Sequence, residues 1–175
     1  MEQTSLELAS NNNKNIEIDD SIKLNNEENN EILKVVDPIL ASNNNNDNNN
    51  KNDINSSYSA NNTEINGTFN GKGIYNYVNG NKYDGNWLDS KMNGYGILEM
   101  LNGDEYIGEW KDNVFNGKGS YYFANNGNKY KGDWLNGQIH GHGIIYFFNG
   151  DRYDSNWIDG KMHGKGYYFF PFLIK

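Results

Sequence analysis

YIGEWKDNVFNGKG (residues 106–119) and YKGDWLNGQIHGHG (residues 130–143) share one skeleton although their polar residues differ. Each has Tyr, Gly and Trp at alternate positions, followed by a Gly-x-Gly pair that begins seven residues after the Trp. Alternation with a period of two is typical of a β-strand that turns one side toward a core. The skeleton therefore predicts strands whose aromatic and glycine residues share one side, the aromatic face, while the residues between them share the opposite side, the polar face.

The same skeleton recurs along the chain from about residue 60. The tryptophans are spaced 23, 24 and 23 residues apart, and the Gly-x-Gly pairs 23, 23, 24 and 23. Both series lengthen by one residue at the same point, near Asn125–Asn126. A period of about 20–50 residues is typical of a stacked repeat array. The sequence predicts five units, at 60–82, 83–105, 106–129, 130–152 and 153–175.

Each unit is predicted to be a β-hairpin. Its second half also alternates, and a loop of about six residues between the halves carries one apolar residue, namely Met92, Phe115, Ile139 or Met162. An Asn-Gly pair, the preferred sequence of a tight hairpin turn, then leads into the next unit. Glycine on the aromatic face leaves room for a ring from a neighbouring strand. The expected fold class is therefore all-β: an elongated single-layer antiparallel β-hairpin repeat array.

The first third of the chain has a different composition. Residues 1–59 hold 17 asparagines and carry 11 acidic against 4 basic residues. Such a segment buries too little apolar surface to offset its chain entropy, so a disordered acidic Asn-rich tail is expected. One island, EILKVVDPIL at 31–40, is more apolar. Two interpretations stay open for it: a transient helix, or a short linear motif that folds on a partner.

Composition also narrows the class of protein. Residues 60–175 carry 12 acidic and 11 basic residues, which leaves no strong electrostatic footprint for nucleic acid. The chain has no cysteine, so disulfides and a thiol nucleophile are excluded. MEQTSLELAS has no basic start and no apolar run, and no segment is apolar enough to span a membrane. We expect a cytoplasmic location, with association to the cytoskeleton or a membrane as an option, and no secretion.

Tyr-x-Gly-x-Trp, a loop, (Asn/His)-Gly-x-Gly and the 23-residue period together resemble MORN repeats (membrane occupation and recognition nexus). The resemblance covers residues 60–175, and 130–143 agrees with the family pattern at every marked position. Ser155 departs from it at a strand glycine, and Ser90 and Asn113 depart from it at a loop glycine. The resemblance implies a rod-like β-meander without catalysis of its own, which serves as a scaffold or as a targeting module.

We predict no catalytic, cofactor-binding or metal-binding residues. Gly-x-Gly cradles a phosphate where a strand leads into a helix, whereas a strand is expected after each pair here. His140 and His142 suggest a metal site, but His140 takes the place that Asn116 takes one unit earlier. The acidic pair Asp104–Glu105 lies beside a turn, and a flat ribbon offers no cleft between two carboxylates.

Two surface features are candidates for binding. The polar face becomes apolar toward the C-terminal end, where the final strand is expected to leave an open edge; this predicts a self-association or partner surface. Its residues are Tyr146, Phe148, Tyr167 and Phe169. Basic residues also recur at two repeat positions and are candidate weak contacts to anionic lipid. They are Lys72, Lys118 and Lys165 at one position, and Lys82, Lys129 and Arg152 at the other.

The leading functional hypothesis is a non-enzymatic scaffold or adaptor that associates with protein partners and forms a homodimer through its C-terminal repeats. The first alternative is a phosphoinositide- or membrane-targeting module, or a fragment of a larger enzyme that contains such repeats. A further alternative is an extracellular cell-wall-binding array, since choline-binding repeats are also aromatic-rich hairpins; the absence of a signal segment and the Tyr-x-Gly-x-Trp order disfavour it.

Overall fold

The computed structural model describes residues 15–18, 63–65 and 68–171. These residues form one antiparallel sheet of eleven strands, which confirms the all-β repeat array expected from the sequence. Strands β2 to β11 follow chain order across the sheet, and β1 lies beyond β11. The strands are β1 (Asn15–Ile18), β2 (Thr63–Ile65), β3 (Thr68–Asn76), β4 (Lys82–Leu88), β5 (Lys91–Glu99), β6 (Glu105–Lys111), β7 (Val114–Phe123), β8 (Asn128–Leu135), β9 (Gln138–Tyr146), β10 (Arg152–Ile158) and β11 (Lys161–Phe169).

The turn within each of units two to five has two residues, so the predicted loop of about six residues is wrong. Strands β6 and β7 pair as far as Lys111↔Val114 and leave only Asp112 and Asn113 between them. Their φ angles of 49° and 71° are those that a type I′ turn requires. The apolar residue assigned to the loop instead belongs to the strand. It pairs with the tryptophan of its own unit, as in Trp87↔Met92, Trp110↔Phe115, Trp134↔Ile139 and Trp157↔Met162.

The Asn-Gly pairs lie in longer loops between the units, so they are not two-residue turns. In the loop 101–103, the Gly103 amide donates to the Met100 carbonyl and the Met100 amide donates to the Asp104 carbonyl, each at 2.9 Å. Gly103 has a φ of 89°, as expected for a type I turn followed by a left-handed residue. Phe123 and Asn128 occupy the positions that Met100 and Asp104 occupy one unit earlier, and they enclose four residues, 124–127, in place of three. This confirms that the extra residue of the third unit lies near Asn125–Asn126.

The two glycines of a Gly-x-Gly pair have different roles. Gly117 has a φ of 94° and lies at an irregularity in the pairing of β6 with β7, opposite the segment between Gly108 and Trp110. Gly119 instead lies against the Tyr106 ring, since a β-carbon there would come within 2.6 Å of Cε2 and Cζ. The expectation that glycine makes room for a ring is therefore confirmed for the second glycine. The same contact joins Gly96 to Tyr83, Gly143 to Tyr130 and Gly166 to Tyr153.

The aromatic face forms the core of the ribbon. The repeat tyrosines and three of the four tryptophans are almost completely buried, and their rings meet edge to face. Each buried polar atom still needs a partner. The Tyr106 hydroxyl donates to the Glu109 carbonyl at 2.8 Å, and the Trp110 indole donates to the Gly96 carbonyl at 3.3 Å. The buried Trp134 indole lacks such a partner among the described residues.

The final strand is not an open edge along its last residues, contrary to the sequence-based expectation. Asn15–Ile18 fall within the predicted tail, yet they form β1 and pair with β11, from Asn15↔Phe169 to Ile18↔Gly166. The chain therefore covers its own last strand with a segment from its beginning. The island at 31–40, the remainder of 19–62 and the apolar end at 172–175 lie outside the described residues.

Candidate interaction surface

Side chains of the polar face form rows that cross the strands. The row nearest the between-unit loops contains acidic residues at Glu99 and Glu105. Farther along, the same row alternates aromatic and basic residues, so that each cation has an aromatic neighbour on both sides. Directly opposed residues in a sheet are close enough to interact. This part of the row runs Tyr122, Lys129, Tyr146, Arg152, Phe169.

The structure brings three of the four candidate interface residues together. Arg152 lies between Tyr146 and Phe169, and its guanidinium carbon is 4.1 Å from the centre of the Phe169 ring. Tyr167, 46% exposed, occupies the next row, opposite Asp154. Phe148 lies in the between-unit loop and is 83% exposed. Together these four residues are called the C-terminal aromatic patch; Phe169 is its most covered member.

Exposed apolar residues are not confined to the C-terminal end, so that part of the sequence-based argument is wrong. Tyr95 in β5 is 58% exposed, and Leu88 at the end of β4 is also exposed. Leu88 lies on the first strand of its unit, which the sequence-based argument did not consider, whereas Tyr95 lies on the second strand of unit two. The C-terminal aromatic patch is therefore one of several apolar regions, distinguished by its aromatic residues and its arginine.

The between-unit loops form an additional apolar ridge that the sequence reasoning did not find. Phe148 lies over Gly127, and Leu101, 76% exposed, lies over Gly80 in the same way. A side-chain oxygen of the preceding unit holds three of these loops, by accepting from the backbone amide of Leu101, Ala124 or Phe148; Asn128 Oδ1 accepts from the Phe148 amide at 3.0 Å. The signal was present as a second set of positions with the repeat period. The ridge consists of Val78, Leu101, Ala124, Phe148 and Pro171.

Some of the candidate basic residues form ion pairs with acidic side chains of the polar face. Lys82 forms an ion pair with Glu99 at 2.9 Å, and Lys118 forms one with Asp133. Lys129 is exposed in the alternating row, where it has no acidic partner within the described residues. The two predicted rows are therefore interrupted by acidic side chains. Their remaining members are Lys72 and Lys165, both exposed, and Arg152 beside Phe169.

The residues considered for catalysis or metal binding take part in structural contacts. His142 Nε2 lies 2.6 Å from Asp154 Oδ1, and His140 Nδ1 lies 3.7 Å from Asp159. Asp104 accepts hydrogen bonds from the Tyr121 hydroxyl and the Ala124 amide, both at 2.8 Å. Within the described part of the chain, no three His, Asp or Glu side chains lie close enough together to hold a metal ion.

The polar-face position of Asp133 takes part in hydrogen bonds that the sequence did not predict. Asp133 Oδ2 accepts a hydrogen bond from the His142 amide at 3.1 Å, next to the positive-φ Gly141. Burial opposes ionisation of Asp133, but the hydrogen bonds from Lys118 and the His142 amide outweigh it and hold the pKa of this carboxyl below its usual value. Glu109 makes the equivalent bond to the Lys118 amide at 3.3 Å. This position therefore stabilises the hairpin.

The buried tyrosines have perturbed acidity. Burial raises the pKa of Tyr77 to about 12, with a further contribution from Tyr75. Burial likewise raises the pKa of Tyr83, Tyr106, Tyr121 and Tyr130. The Tyr106 and Tyr130 hydroxyls donate to backbone carbonyls of their own strands, so the raised pKa values reflect packing of the core.

Fold and surface together define the class: a single-layer antiparallel β-repeat protein whose polar face and loop ridge expose apolar side chains. Within the residues that the structure describes, no helix could cross a membrane. The MORN repeat family matches residues 65–82, 83–105, 106–128, 130–152 and 153–171. The chain therefore belongs to the MORN-repeat family, and the matched segments follow the predicted units closely. No curated protein shows significant similarity to it.

Proposed function

We propose that this protein is a non-enzymatic scaffold or adaptor that binds protein partners through the C-terminal aromatic patch. We place it in the cytoplasm, at the cytoskeleton or the membrane periphery. The observation that carries the proposal is the exposed Tyr146 side chain beside Arg152, with the exposed Tyr167 in the next row and the exposed Phe148 in the loop that follows β9. Exposed apolar patches on soluble proteins usually mark interfaces, and aromatic residues and arginine are the residue types enriched there.

A homodimer through the C-terminal repeats is the first association to test. Light scattering on the full chain should show a dimer. Phe148→Asp with Tyr167→Asp should give a folded monomer, because it places two charges on exposed members of the patch. Phe169 is left unchanged because it packs against Arg152.

Tyr95→Asp is the matched control, since Tyr95 is also an exposed aromatic residue of the polar face but lies in β5. It should leave the dimer intact. The proposal fails if the wild-type chain stays monomeric at high concentration and captures its protein partners equally well with and without the two patch substitutions.

The alternative is a membrane-targeting module. Exposed Lys129 and Lys131 on β8 and Arg152 on β10 support it, whereas the acidic partners of Lys82 and Lys118 weaken it. Each basic residue near an anionic surface contributes about 1 kcal/mol, so three would give weak binding. Co-sedimentation with phosphatidylserine vesicles, with and without phosphoinositide, should show weak binding that Lys129→Glu with Arg152→Glu removes. Full retention of binding in that variant would exclude this surface.

A further inference from the structure

The two ends of one undescribed segment are fixed at opposite ends of the ribbon. β1 pairs with β11 at one edge of the sheet, and β2 pairs with β3 at the other. Residues 19–62 must therefore connect strands that lie ten strand spacings apart, or about 48 Å along the ribbon. A segment of 44 residues can span up to about 150 Å, so its length suffices for the crossing.

The connection begins and ends near the middle of the strands. Ile18 is opposite Gly166, and Thr63 is opposite Asn70, which immediately precedes the equivalent Gly-x-Gly pair. The direct path between them therefore follows the central rows of the sheet. The aromatic face has its apolar side chains already buried, whereas the polar face exposes apolar and basic ones along this path.

The position of the apolar island along the connection indicates which strands it meets. Val35 lies 17 residues after Ile18 and 28 residues before Thr63. An even distribution of the chain places it about four strand spacings from β1, over β8, with β7 and β9 on either side. These strands present Tyr122, Ile144 and Tyr146 around two lysines.

The charges of the two surfaces are complementary. Residues 19–62 carry eight acidic residues and three lysines, and Glu27, Glu28 and Glu31 lie at or just before the start of the island. Lys129 and Lys131 are exposed on β8 and form no ion pair with another described residue. The tether also gives the island an effective concentration on the order of millimolar at this surface, so a weak contact suffices.

We propose that residues 31–40 dock on the polar face of their own chain, with their apolar side chains against Tyr122, Ile144 and Tyr146 and their acidic neighbours at Lys129 and Lys131. Tyr146 also belongs to the C-terminal aromatic patch. The docked segment therefore covers part of the surface proposed for partners, and it competes with them there.

Disulfide trapping in the full chain tests the contact, because the protein has no cysteine of its own. Val35→Cys with Ser120→Cys places one thiol in the island and one on β7, beside Ile107 and Lys131. In dilute solution this pair should form an intramolecular disulfide about tenfold faster than Val35→Cys with Asp84→Cys. Asp84 is the matched control because it lies in the same row, on β4.

Two further variants separate docking from simple tethering. Leu33→Asp with Val36→Asp should remove the preference for Ser120→Cys, whereas Asn45→Asp with Asn49→Asp adds the same charge outside the island and should not. Equal trapping rates at the two sites, or a rate that the island substitutions leave unchanged, would overturn the proposal. A disulfide-linked dimer as the main product would overturn it in favour of a second copy as the occupant.

The rate of lysine acylation tests the same contact in the protein without introduced cysteines. Lys129 and Lys131 should react severalfold faster in the Leu33→Asp, Val36→Asp variant than in the wild type, while Lys72 on β3 should not change. Equal reactivity at β8 in both chains would contradict docking. Both experiments use the protein alone, so their outcome does not depend on whether the proposed partner surface is correct.

Discussion

Tyr106 shows how much of the fold depends on single positions of the repeat. Its ring stacks on Phe115 with centroids 3.8 Å apart and meets Trp110 edge to face at 5.1 Å. It also lies across the second glycine of its unit, Gly119. The absence of a side chain at that glycine is therefore a packing requirement, whereas the adjacent polar-face position has no comparable constraint.

Gly119→Val tests this requirement. The new side chain would occupy the space of the Tyr106 ring, so unfolding free energy should fall by about 2 kcal/mol or more. Ser120→Val on the polar face of the same strand should cost little and is the control. Lys118, the other polar-face neighbour of Gly119, is unsuitable because it is paired with Asp133. Equal losses in urea melts would contradict the assignment of the two faces.

At the scale of the hairpin, the within-unit turn also joins neighbouring units. The Asn113 amide donates to the Met92 carbonyl at 3.0 Å, and its side-chain oxygen accepts from the Met92 amide at 2.8 Å. Gly137 and Gly160 occupy the same place later in the chain and retain the backbone bond. A glycine turn relieves backbone strain, while asparagine adds a bond between units.

Asn113→Ala and Asn113→Gly separate these two effects. Alanine should cost about 1–2 kcal/mol, because it loses the bond to Met92 and keeps a β-carbon at a φ of 71°. Glycine loses the same bond but relieves the strain, so its effect should stay within about 0.5 kcal/mol. Urea denaturation measures both, with Lys111→Ala as the exposed control. A larger loss for glycine than for alanine would show that strain is unimportant here.

At the scale of the whole molecule, the ribbon is built from contacts between adjacent strands. The N-terminal strand β1 forms one of its edges. Each described strand pairs only with the strands beside it, as expected for a repeat array. Pairing of β1 with β11 covers a strand edge that would otherwise be available to another chain.

Deletion of residues 1–18 tests the edge strand. The shortened chain should unfold a few degrees lower and self-associate more strongly, because β11 loses its four-residue ladder with β1. Thermal unfolding and light scattering measure the two effects. Deletion of 19–30, which keeps β1 and shortens only the connection, is the control. An unchanged melting temperature together with unchanged association would contradict a stabilising role for β1.

The buried tyrosines predict loss of stability at alkaline pH. Burial raises their pKa in the folded chain above the ordinary value of 10.0, so the fold favours their neutral form. Their contribution to stability is complete below pH 10 and is lost as pH rises above it, toward and through the folded pKa. Each tyrosine adds about 1.4 kcal/mol per pH unit to the decline.

Urea melts between about pH 9 and pH 12, together with tyrosinate absorbance, measure this decline. Tyr106→Phe removes one of these groups, so its slope should be smaller by about 1.4 kcal/mol per pH unit even though its stability at neutral pH changes for other reasons. Stability that is independent of pH over this range would show that the tyrosines ionise without unfolding.

The sequence by itself determined the repeat, the unit boundaries and the buried face. Period-two alternation determines which side of a strand is buried, and this is a local property. Each repeat of the sequence therefore gives the same hairpin again. The extra residue near Asn125–Asn126 was located from spacing alone, and the loop at 124–127 contains it. The resemblance to MORN repeats rested on the same positions and proved correct.

Only the tertiary structure decided what covers the last strand, and the sequence signal for the within-unit turns differed from one unit to the next. Asn136–Gly137 and Asp159–Gly160 are preferred type I′ pairs and marked two of the within-unit turns in the sequence, whereas Asp112–Asn113 carries the same turn without a glycine. Phe115 was assigned to a loop although it pairs with Trp110. The pairing of Asn15–Ile18 with β11 joins residues about 150 positions apart. No local pattern encodes such a contact, because it depends on where the ribbon ends and which backbone groups remain unpaired there.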